Sequence, residues 1–421
     1  MNLQQHTEQT IDHLFRQQSG KMVAVLSRLA GFKHLNLIED IVQESFISAL
    51  QHWKLKGIPD QPEAWLMKTA KNKAVDLLRR INYHARFVQS QDNANYSEQV
   101  ASFFHDHEIS DSELRMIFAC CHPSLKKEDQ IALTLKLVFS FSISEIAKAL
   151  VLTDPVVQKR LSRAKEFLVS EHIELEIPSG KELSNRLEAV RIVLYLLFNE
   201  GYYARKTDEL IRRDLCMEAL RCCKILCEHT AVKDPINQAL LALMCLHAAR
   251  FDSRFSDTQQ FILLEHQDRS LWDKELIQVG YYYLNAAAEG DKISKYHIEA
   301  AIAAEHCKAT LYNETNWGQL LYWYDLLIQT DASPVILLNR ALVIHANGDT
   351  EKAIGEVLSI PGIELLLKND HHYSSVLGYL YMKLSDRIQA KIYFLQAMSM
   401  ANSEAEKILL QTRIDQLSAK N

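Results

Sequence analysis

Turn-forming residues are scarce along the whole chain, and this scarcity limits the folds open to it. The 421 residues include 12 glycines and 8 prolines, well below the ~12% that proteins use on average. A β-sandwich or barrel needs many turns, so this composition argues against both. Leu, Ala, Glu, Lys and Gln, which favour helices, are abundant. We therefore predict an all-α protein.

Length and charge predict several helical domains of different character. At roughly 100–200 residues per domain, the chain makes two to four domains. Residues 1–170 hold 21 Lys and Arg against 19 Asp and Glu, whereas the rest hold 26 against 34. The first part therefore suits an anionic partner, and the second predicts an acidic helical body. The scattered cysteines and the lack of a long apolar run predict a reduced, cytoplasmic protein with no secretory signal and no membrane contact.

Residues 144–165, S-E-I-A-K-A-L-V-L-T-D-P-V-V-Q-K-R-L-S-R-A-K, predict a helix-turn-helix. A short helix from Ser144 to Leu150 precedes a turn, after which Asp154 is expected to cap the second helix and Pro155 to open it. The apolar face of the second helix contains Val157, Leu161, Ala164 and Leu168. Its polar side suits a DNA major groove and carries Gln158, Lys159, Arg160, Ser162 and Arg163. A helical hairpin with a basic solvent face is the alternative.

Residues 62–80, P-E-A-W-L-M-K-T-A-K-N-K-A-V-D-L-L-R-R, predict a second nucleic-acid-binding helix. Its apolar stripe contains Leu66, Ala70, Ala74 and Leu77. The other face carries Trp65, Lys68, Lys71, Asn72, Arg79 and Arg80. Basic groups neutralise phosphates and an aromatic ring stacks on an unpaired base, which suits a partly melted strand. Asp76 is expected to orient Arg79 or Arg80. A solvated basic face is the alternative.

Residues 36–50, N-L-I-E-D-I-V-Q-E-S-F-I-S-A-L, predict a helix that faces a protein partner. The exposed face is expected to carry Glu39, Asp40, Gln43 and Glu44 beside Phe46 and Ile47. Acidic groups repel phosphates, so this face is unsuited to DNA and suited to another protein. A solvated acidic face is the alternative.

In this order and spacing, the three segments resemble a bacterial sigma factor of the extracytoplasmic-function (ECF) type, in the sigma-70 family. The resemblance implies that E-D-I-V-Q-E-S-F docks on RNA polymerase core through Asp40, Gln43, Glu44 and Phe46. It implies that the second helix melts and reads the −10 element of promoter DNA through Trp65, Lys68, Asn72, Arg79 and Arg80. The helix-turn-helix then reads the −35 element through Gln158, Lys159, Arg160, Ser162 and Arg163. Lys71, where an Arg is common, and Asp154-Pro155 depart from the family pattern and leave the promoter sequence open.

The rest of the chain resembles the ECF subgroup with a long C-terminal, TPR-like helical extension. The segments that carry this resemblance are M-I-F-A-C-C-H-P-S-L at 116–125 and L-Y-L-L-F-N-E-G-Y-Y-A at 194–204. In that subgroup the extension takes the place of a separate anti-sigma regulator. A repeat with a 37-residue offset relates 338–354 to 375–391, matching Ala341 with Gly378, Gly348-Asp349 with Ser385-Asp386, and Ala353 with Ala390. Stacked TPR-like hairpins are predicted, with an ordinary helical array as the alternative.

The predicted organisation has four segments. They are sigma region 2 at 1–87, an acidic and at least partly extended linker at 88–112, sigma region 4 at 113–175, and the TPR-like domain at 181–421. The protein is expected to direct RNA polymerase core to promoters as a non-enzyme, with no cofactor and no metal. Its own C-terminal domain, or an unknown regulatory protein, is the further partner. Masking of the basic faces by the acidic C-terminal body predicts that deleting 180–421 raises promoter activity.

Two other classes of protein remain open. One is a helix-turn-helix DNA-binding adaptor with a TPR scaffold, which binds DNA without polymerase. The other is a cysteine-dependent enzyme or metal protein, suggested by Cys120, Cys121, His122, Cys222, Cys223 and Cys227. Adjacent cysteines do not easily share one ion, so buried thiols are favoured. A packed turn is favoured over a pocket for Asn199, Glu200, Tyr202 and Tyr203. A turn before a repeat helix is expected for His371 and His372.

Overall fold

A computed structural model describes residues 3–85, 100–150, 152–202, 212–256, 262–401 and 404–418. These residues form helices joined by short connections, and no β-strand lies among them, as the shortage of turn formers predicts. None of the described helices combines the length and the hydropathy that a membrane span requires. The chain divides into two compact units, the first comprising the described residues up to 202 together with 212–233, and the second beginning at residue 234.

Helices of the first unit carry all three predicted segments. The α-helices described there are α1 (Leu3–Ala30), α2 (Leu35–Lys56), α3 (Pro62–Ala85), α4 (Asp106–Cys120), α5 (Lys127–Leu133), α6 (Ile143–Ala149), α7 (Asp154–Ser170), α8 (Gly180–Tyr202) and α9 (Arg213–Glu228). A π-helical turn, Thr134–Val138, continues α5. Short 3₁₀ turns lie at Phe32–His34 and Thr230–Val232.

Helices of the second unit follow one another in hairpins. They are α10 (Pro235–Ala248), α11 (Lys274–Ala287), α12 (Lys295–Lys308), α13 (Trp317–Leu327), α14 (Pro334–Ala346), α15 (Thr350–Leu358), α16 (Ile363–Asn369), α17 (His371–Lys383), α18 (Arg387–Met400) and α19 (Glu404–Ser418). Short 3₁₀ turns lie at Phe251–Ser253, Leu264–His266, Arg269–Leu271 and Tyr312–Glu314.

Helix α1 lies in the middle of the first unit. Its residues 22–26 are all buried, so neighbours surround this turn on every side. A Cβ atom on Gly20 would lie 2.1 Å from the carbonyl oxygen of Val138, in the π-helical turn. Only glycine allows so close a crossing. The predicted region 2 and region 4 therefore pack directly against each other.

Helices α2 and α3 bury the faces that their sequence periodicity predicts. Helix α3 buries Leu66, Ala70, Ala74 and Leu77. Helix α2 buries Leu35, Ile38, Val42, Ser45, Phe46, Ala49 and Trp53. The apolar stripe predicted for α3 is confirmed, and the opposite faces of both helices are left to solvent or to partners.

Helices α8 and α9 belong to the first unit. Arg221 of α9 donates to Glu113 of α4 over 2.8 Å, and the Glu113 side chain is only 3% exposed. Burial raises the pKa of Glu113, so its ionised form depends on this guanidinium. The predicted limits 113–175 and 181–421 stay predictions, but these contacts attach residues 180–228 to region 4.

The predicted acidic linker is helical in its second half. Residues 86–99 lie outside the described chain, whereas 106–112 form the first turns of α4. Arg28 of α1 pairs there with Glu108 at 2.7 Å and with Asp111 at 2.8 Å. The acidic residues thus have basic partners in another segment, which local composition does not reveal.

The predicted 37-residue repeat is confirmed as two matching hairpins, α14–α15 and α17–α18. The turns contain Gly348 at φ 106° and Ser385 at φ 63°. Asp349 caps α15 by accepting from the Lys352 amide at 2.9 Å, and Asp386 caps α18 in the same way. One apolar cluster joins α14 and α15 to α17, so the hairpins stack, with α16 between them.

Candidate nucleic-acid and polymerase interfaces

The helix-turn-helix consists of α6, a turn and α7. Ser142 caps α6 in a capping box, in which its hydroxyl accepts from the Glu145 amide and Glu145 accepts from the Ser142 amide. Helix α7 begins one residue earlier than predicted: Thr153 is the N-cap and Asp154 is the first helical residue. The expectation that Asp154 caps the helix is wrong. Pro155 fits second place because the first amides of a helix have no intrahelical acceptor.

The outer face of α7 matches the prediction in part. The buried residues of the helix are Val157, Leu161, Ala164 and Leu168, as its apolar pattern indicates. Gln158, Lys159 and Ser162 are exposed, and Arg160 is half-buried. Gln158, Lys159 and Ser162 are therefore accessible to a partner on the surface of this helix.

Arg163 is held by its own domain. Its Nε donates to Oδ2 of Asp129 over 3.0 Å and its Nη2 to the same oxygen over 2.7 Å. Asp129, on α5, is only 3% exposed. The hydrogen bonds that Arg163 donates to Asp129 raise the pKa of the guanidinium. The fork engages Nε and Nη2 and so fixes the orientation of the guanidinium, and the N–H donors outside the fork are those on Nη1.

A second basic residue of α7 reaches region 2. Lys165 Nζ lies 2.7 Å from Glu39 Oε2 on α2, and both side chains are largely buried. On α1, Arg16 pairs with Glu145 of α6 at 2.7 Å. Region 2 thus contacts both helices of the helix-turn-helix through ion pairs. The two residues of each ion pair are more than 120 positions apart, so no pattern along the sequence predicts the pairing.

The outer face of α2 is acidic, but two of the residues predicted on it or beside it lie elsewhere. Glu39 is 19% exposed and pairs with Lys165, so its expected place on the exposed face is wrong. Asp40, Gln43 and Glu44 are exposed. Phe46 is 5% exposed and packs edge-on against Phe15 with ring centroids 4.9 Å apart, so its expected place beside the exposed face is wrong. Phe46 lies four residues after Val42 and is therefore in phase with the core. Ile47, 53% exposed, is the apolar residue of the outer face.

The outer face of α3 is open. Lys68, Asn72 and Arg79 are exposed. Arg79 lies 3.7 Å from Asp76, one turn away, which is the predicted local pair. The side chain of Arg80 lies outside the described part of the chain.

Trp65, at the start of α3, is half-buried by an aromatic neighbourhood. Its ring stacks on His52 with centroids 5.5 Å apart and meets Trp53 edge-on at the same distance. The end of α2 therefore fixes the indole in place beside the basic face.

Comparison with known proteins matches both halves of this arrangement. The family model for sigma-70 region 2 matches residues 14–82, and the model for sigma-70 region 4 matches residues 115–168. An uncharacterised protein of Rhizobium meliloti (strain 1021) is 31% identical over 413 residues, which cover 96% of this chain and 95% of the relative. The chain belongs to the sigma-70 family. It is an ECF-type sigma factor with a C-terminal extension.

The extension of this sigma factor begins with a segment of unassigned role. Residues 186–288 match a family of unknown function, DUF6596, which spans the end of the first unit and the start of the second. No solved structure matches the sigma factor. Sigma factors act in transcription initiation by recognising promoters, and their families are not enzymes.

The five cysteines that suggested a metal or redox site in the sigma factor are packing residues. Cys120, Cys121, Cys222, Cys223 and Cys227 are all buried. Burial raises the pKa of Cys121 to about 12, which keeps the thiol protonated and unreactive. The interpretation of these residues as buried thiols is confirmed.

Two polar clusters of the sigma factor are explained by local contacts. Tyr202 is buried and stacks on Phe198 at 5.8 Å, as a packed turn requires, while Tyr203 lies outside the described residues. His371 and His372 begin α17 instead of preceding it. They and Asp370 place ligand atoms within 4.8 Å of one another. Asp370 caps the helix and binds His372 Nδ1 at 2.6 Å, so capping accounts for this group.

Proposed function

We propose that the sigma factor docks on RNA polymerase core through the outer face of α2. The observation that carries this proposal is the juxtaposition of two faces on one helical block. Helix α2 presents Asp40, Gln43 and Glu44 beside exposed Ile47, whereas the next helix presents a basic face. An apolar side chain ringed by polar groups has the composition of a protein interface.

Promoter DNA is the proposed partner of the basic faces. Helix α3 would hold the −10 strand through Lys68, Asn72 and Arg79, with Trp65 beside them and Arg80 retained from the sequence prediction. Helix α7 would read the −35 element through Gln158, Lys159, Arg160 and Ser162. Because Asp129 holds Arg163, the geometry favours a positioning role for that residue over direct readout.

Gel filtration with polymerase core tests the docking proposal. The purified sigma factor should co-elute with core, and the double variant Asp40→Lys, Glu44→Lys should not, because two charges of the interface are reversed. The matched control is Glu351→Lys, Glu364→Lys, which makes the same charge change on exposed helix positions of the second unit. This control should co-elute like the unaltered protein.

The outcome also decides between the sigma function and its alternative. Failure of the unaltered chain to co-elute, together with tight promoter binding in the absence of polymerase, would favour the DNA-binding adaptor. Equal co-elution of the two double variants would move the docking surface away from α2.

We propose further that the C-terminal residues regulate promoter activity in the cytoplasm. To test this regulation, the chain is better truncated after residue 233 than after residue 180. Ending the chain at residue 180 would remove Arg221 and leave the buried Glu113 without its partner. Ending it at residue 233 keeps the first unit whole. Masking predicts higher promoter activity for residues 1–233 than for the full chain, whereas lower activity would show that the second unit activates.

A further inference from the structure

A cleft of about 360 Å³ lies in the second unit, between the 3₁₀ turn at Leu264–His266 and helices α17 and α19. Its lining includes the apolar side chains of Leu263, Met382 and Leu409. Charged groups share the same walls, among them Glu265, Lys383 and Arg413. The volume lies at the lower end of the range of small-molecule sites.

Arg413 is the unusual member of this lining. The residue is only 9% exposed. Its guanidinium lies over two aromatic rings, 5.0 Å from the centroid of Tyr379 and 5.6 Å from that of Phe394. Among the described residues, no side chain or carbonyl forms a hydrogen bond or ion pair with it. Burial lowers the pKa of Arg413, and the negative charge of Glu265 in the same cleft opposes that shift.

The acid in the cleft is engaged elsewhere. Glu265 Oε2 accepts a hydrogen bond from the Tyr379 hydroxyl over 3.0 Å and lies 3.9 Å from Lys383 Nζ. The ordinary explanation of a buried arginine, a direct pair with a carboxylate, is therefore absent from the described part of this unit. With respect to the described residues, the donors of Arg413 remain for a ligand that enters the cleft.

We propose that this cleft binds a small organic molecule with an anionic head, a carboxylate or a phosphate, on an apolar body. Arg413 grips the head through two parallel hydrogen bonds, and Lys383 at the rim adds a second positive charge. Leu263, Met382 and Leu409 contact the apolar body. This ligand would be a signal for the regulation proposed above, but its binding does not depend on the sigma function.

Calorimetric titration of the full-length protein tests the proposal without polymerase or DNA. The probes are hexanoate and hexyl phosphate, with hexylammonium as a probe of the same body and opposite charge, all at constant ionic strength. At least one anionic probe should bind saturably. Arg413→Met should weaken its binding about tenfold or more, since a charge-assisted pair is lost. Lys383→Met, at a half-exposed rim position, should weaken it less.

The matched control is Arg387→Met, which removes an exposed arginine from the start of α18 in the same unit. It should bind like the unaltered protein, and circular dichroism should confirm that every variant is folded. Saturable binding of hexylammonium as tight as that of the anions would overturn the proposal. So would unchanged binding in Arg413→Met and Lys383→Met, or the lack of saturable binding by either anion. Failure here with intact polymerase binding would leave the proposed sigma function in place.

Discussion

Helices α3 and α7 are both basic on their outer faces, but they use their charges differently. On α3, Lys68 and Asn72 are exposed, Arg79 lies 3.7 Å from Asp76 on the same helix, and Lys73 pairs with Glu44 of α2 at 2.7 Å. On α7, Arg163 is gripped by buried Asp129, and Lys165 pairs with Glu39 of region 2. The number of basic residues on a helix therefore does not measure how many are free for DNA.

The largest expected effect is the loss of the Arg163–Asp129 pair. Arg163→Met should reduce the free energy of unfolding by about 2 kcal/mol, because Asp129 is left buried without its partner. The half-exposed guanidinium itself contributes less, since solvent screens it. Urea unfolding of the purified variant measures this loss.

Lys159→Met is the control, because Lys159 is exposed on the same helix. It should change stability by less than about 0.5 kcal/mol. If the two variants are equally stable, Arg163 is free for DNA and the contrast between α3 and α7 disappears.

The second effect is a loss of stability in acid. Burial opposes ionisation of Asp111, but hydrogen bonds and charges from Arg115 and Arg28 outweigh it and lower its pKa. Burial likewise opposes ionisation of Glu145, and Ser142 and Arg16 lower its pKa. A lowered carboxyl pKa gives stability that is complete above the unfolded value, near pH 4, and is lost as pH falls through the folded value.

The Arg28–Asp111 pair joins α1 to α4 and the Arg16–Glu145 pair joins α1 to α6, so acid should loosen the packing of α1 on these two helices. Urea unfolding from pH 7 to pH 3 should show the loss. The double variant Asp111→Asn, Glu145→Gln should lose on the order of 1 kcal/mol per pair at pH 7 and show a flatter pH profile. A profile as steep as that of the unaltered protein would assign the acid sensitivity to other carboxylates.

Sequence alone predicted what is local in this molecule. The apolar stripe of α7 and the Arg79–Asp76 pair follow from spacings within one or two turns of a helix. The expected place of Phe46, beside the exposed acidic face, is wrong. That error also has a local signal, since Phe46 follows Val42 by four residues.

Contacts between distant segments could not be predicted in this way. The partners Lys165–Glu39 and Arg221–Glu113 are separated by 126 and 108 residues. The packing of whole helices determines which residues form these ion pairs. A charged residue on a predicted binding face can therefore form an ion pair within the protein instead. The polarity of such a residue is readable from the sequence, but its partner is not.

A third, smaller effect concerns the Lys165–Glu39 ion pair between α7 and α2. A double-mutant cycle on Glu39→Gln and Lys165→Gln should give a coupling energy of about 1 kcal/mol, because the pair is partly buried. Since α2 is the proposed polymerase face, Glu39→Gln should also bind core a few-fold more tightly if docking breaks this pair. Glu128→Gln, at an exposed position of α5, is the control. A coupling energy near zero would mean that the Lys165–Glu39 pair does not contribute to the packing of α7 against region 2.

Substitutions on the outer face of α3 should have the smallest effect on stability. They test whether its basic residues, unlike Arg163 of α7, contact DNA. Lys68→Ala and Arg79→Ala should each change the free energy of unfolding by less than about 0.5 kcal/mol, because both side chains are exposed. Each should still lower the slope of log affinity against log salt by about 1 in binding of the polymerase complex to promoter DNA, because one phosphate contact is lost. Arg163→Met should do the reverse, lowering stability and leaving the slope unchanged. The opposite result would be a slope that falls for Arg163→Met and stays constant for the α3 variants. It would mean that Arg163 of α7 contacts a DNA phosphate and that the basic face of α3 contacts only solvent.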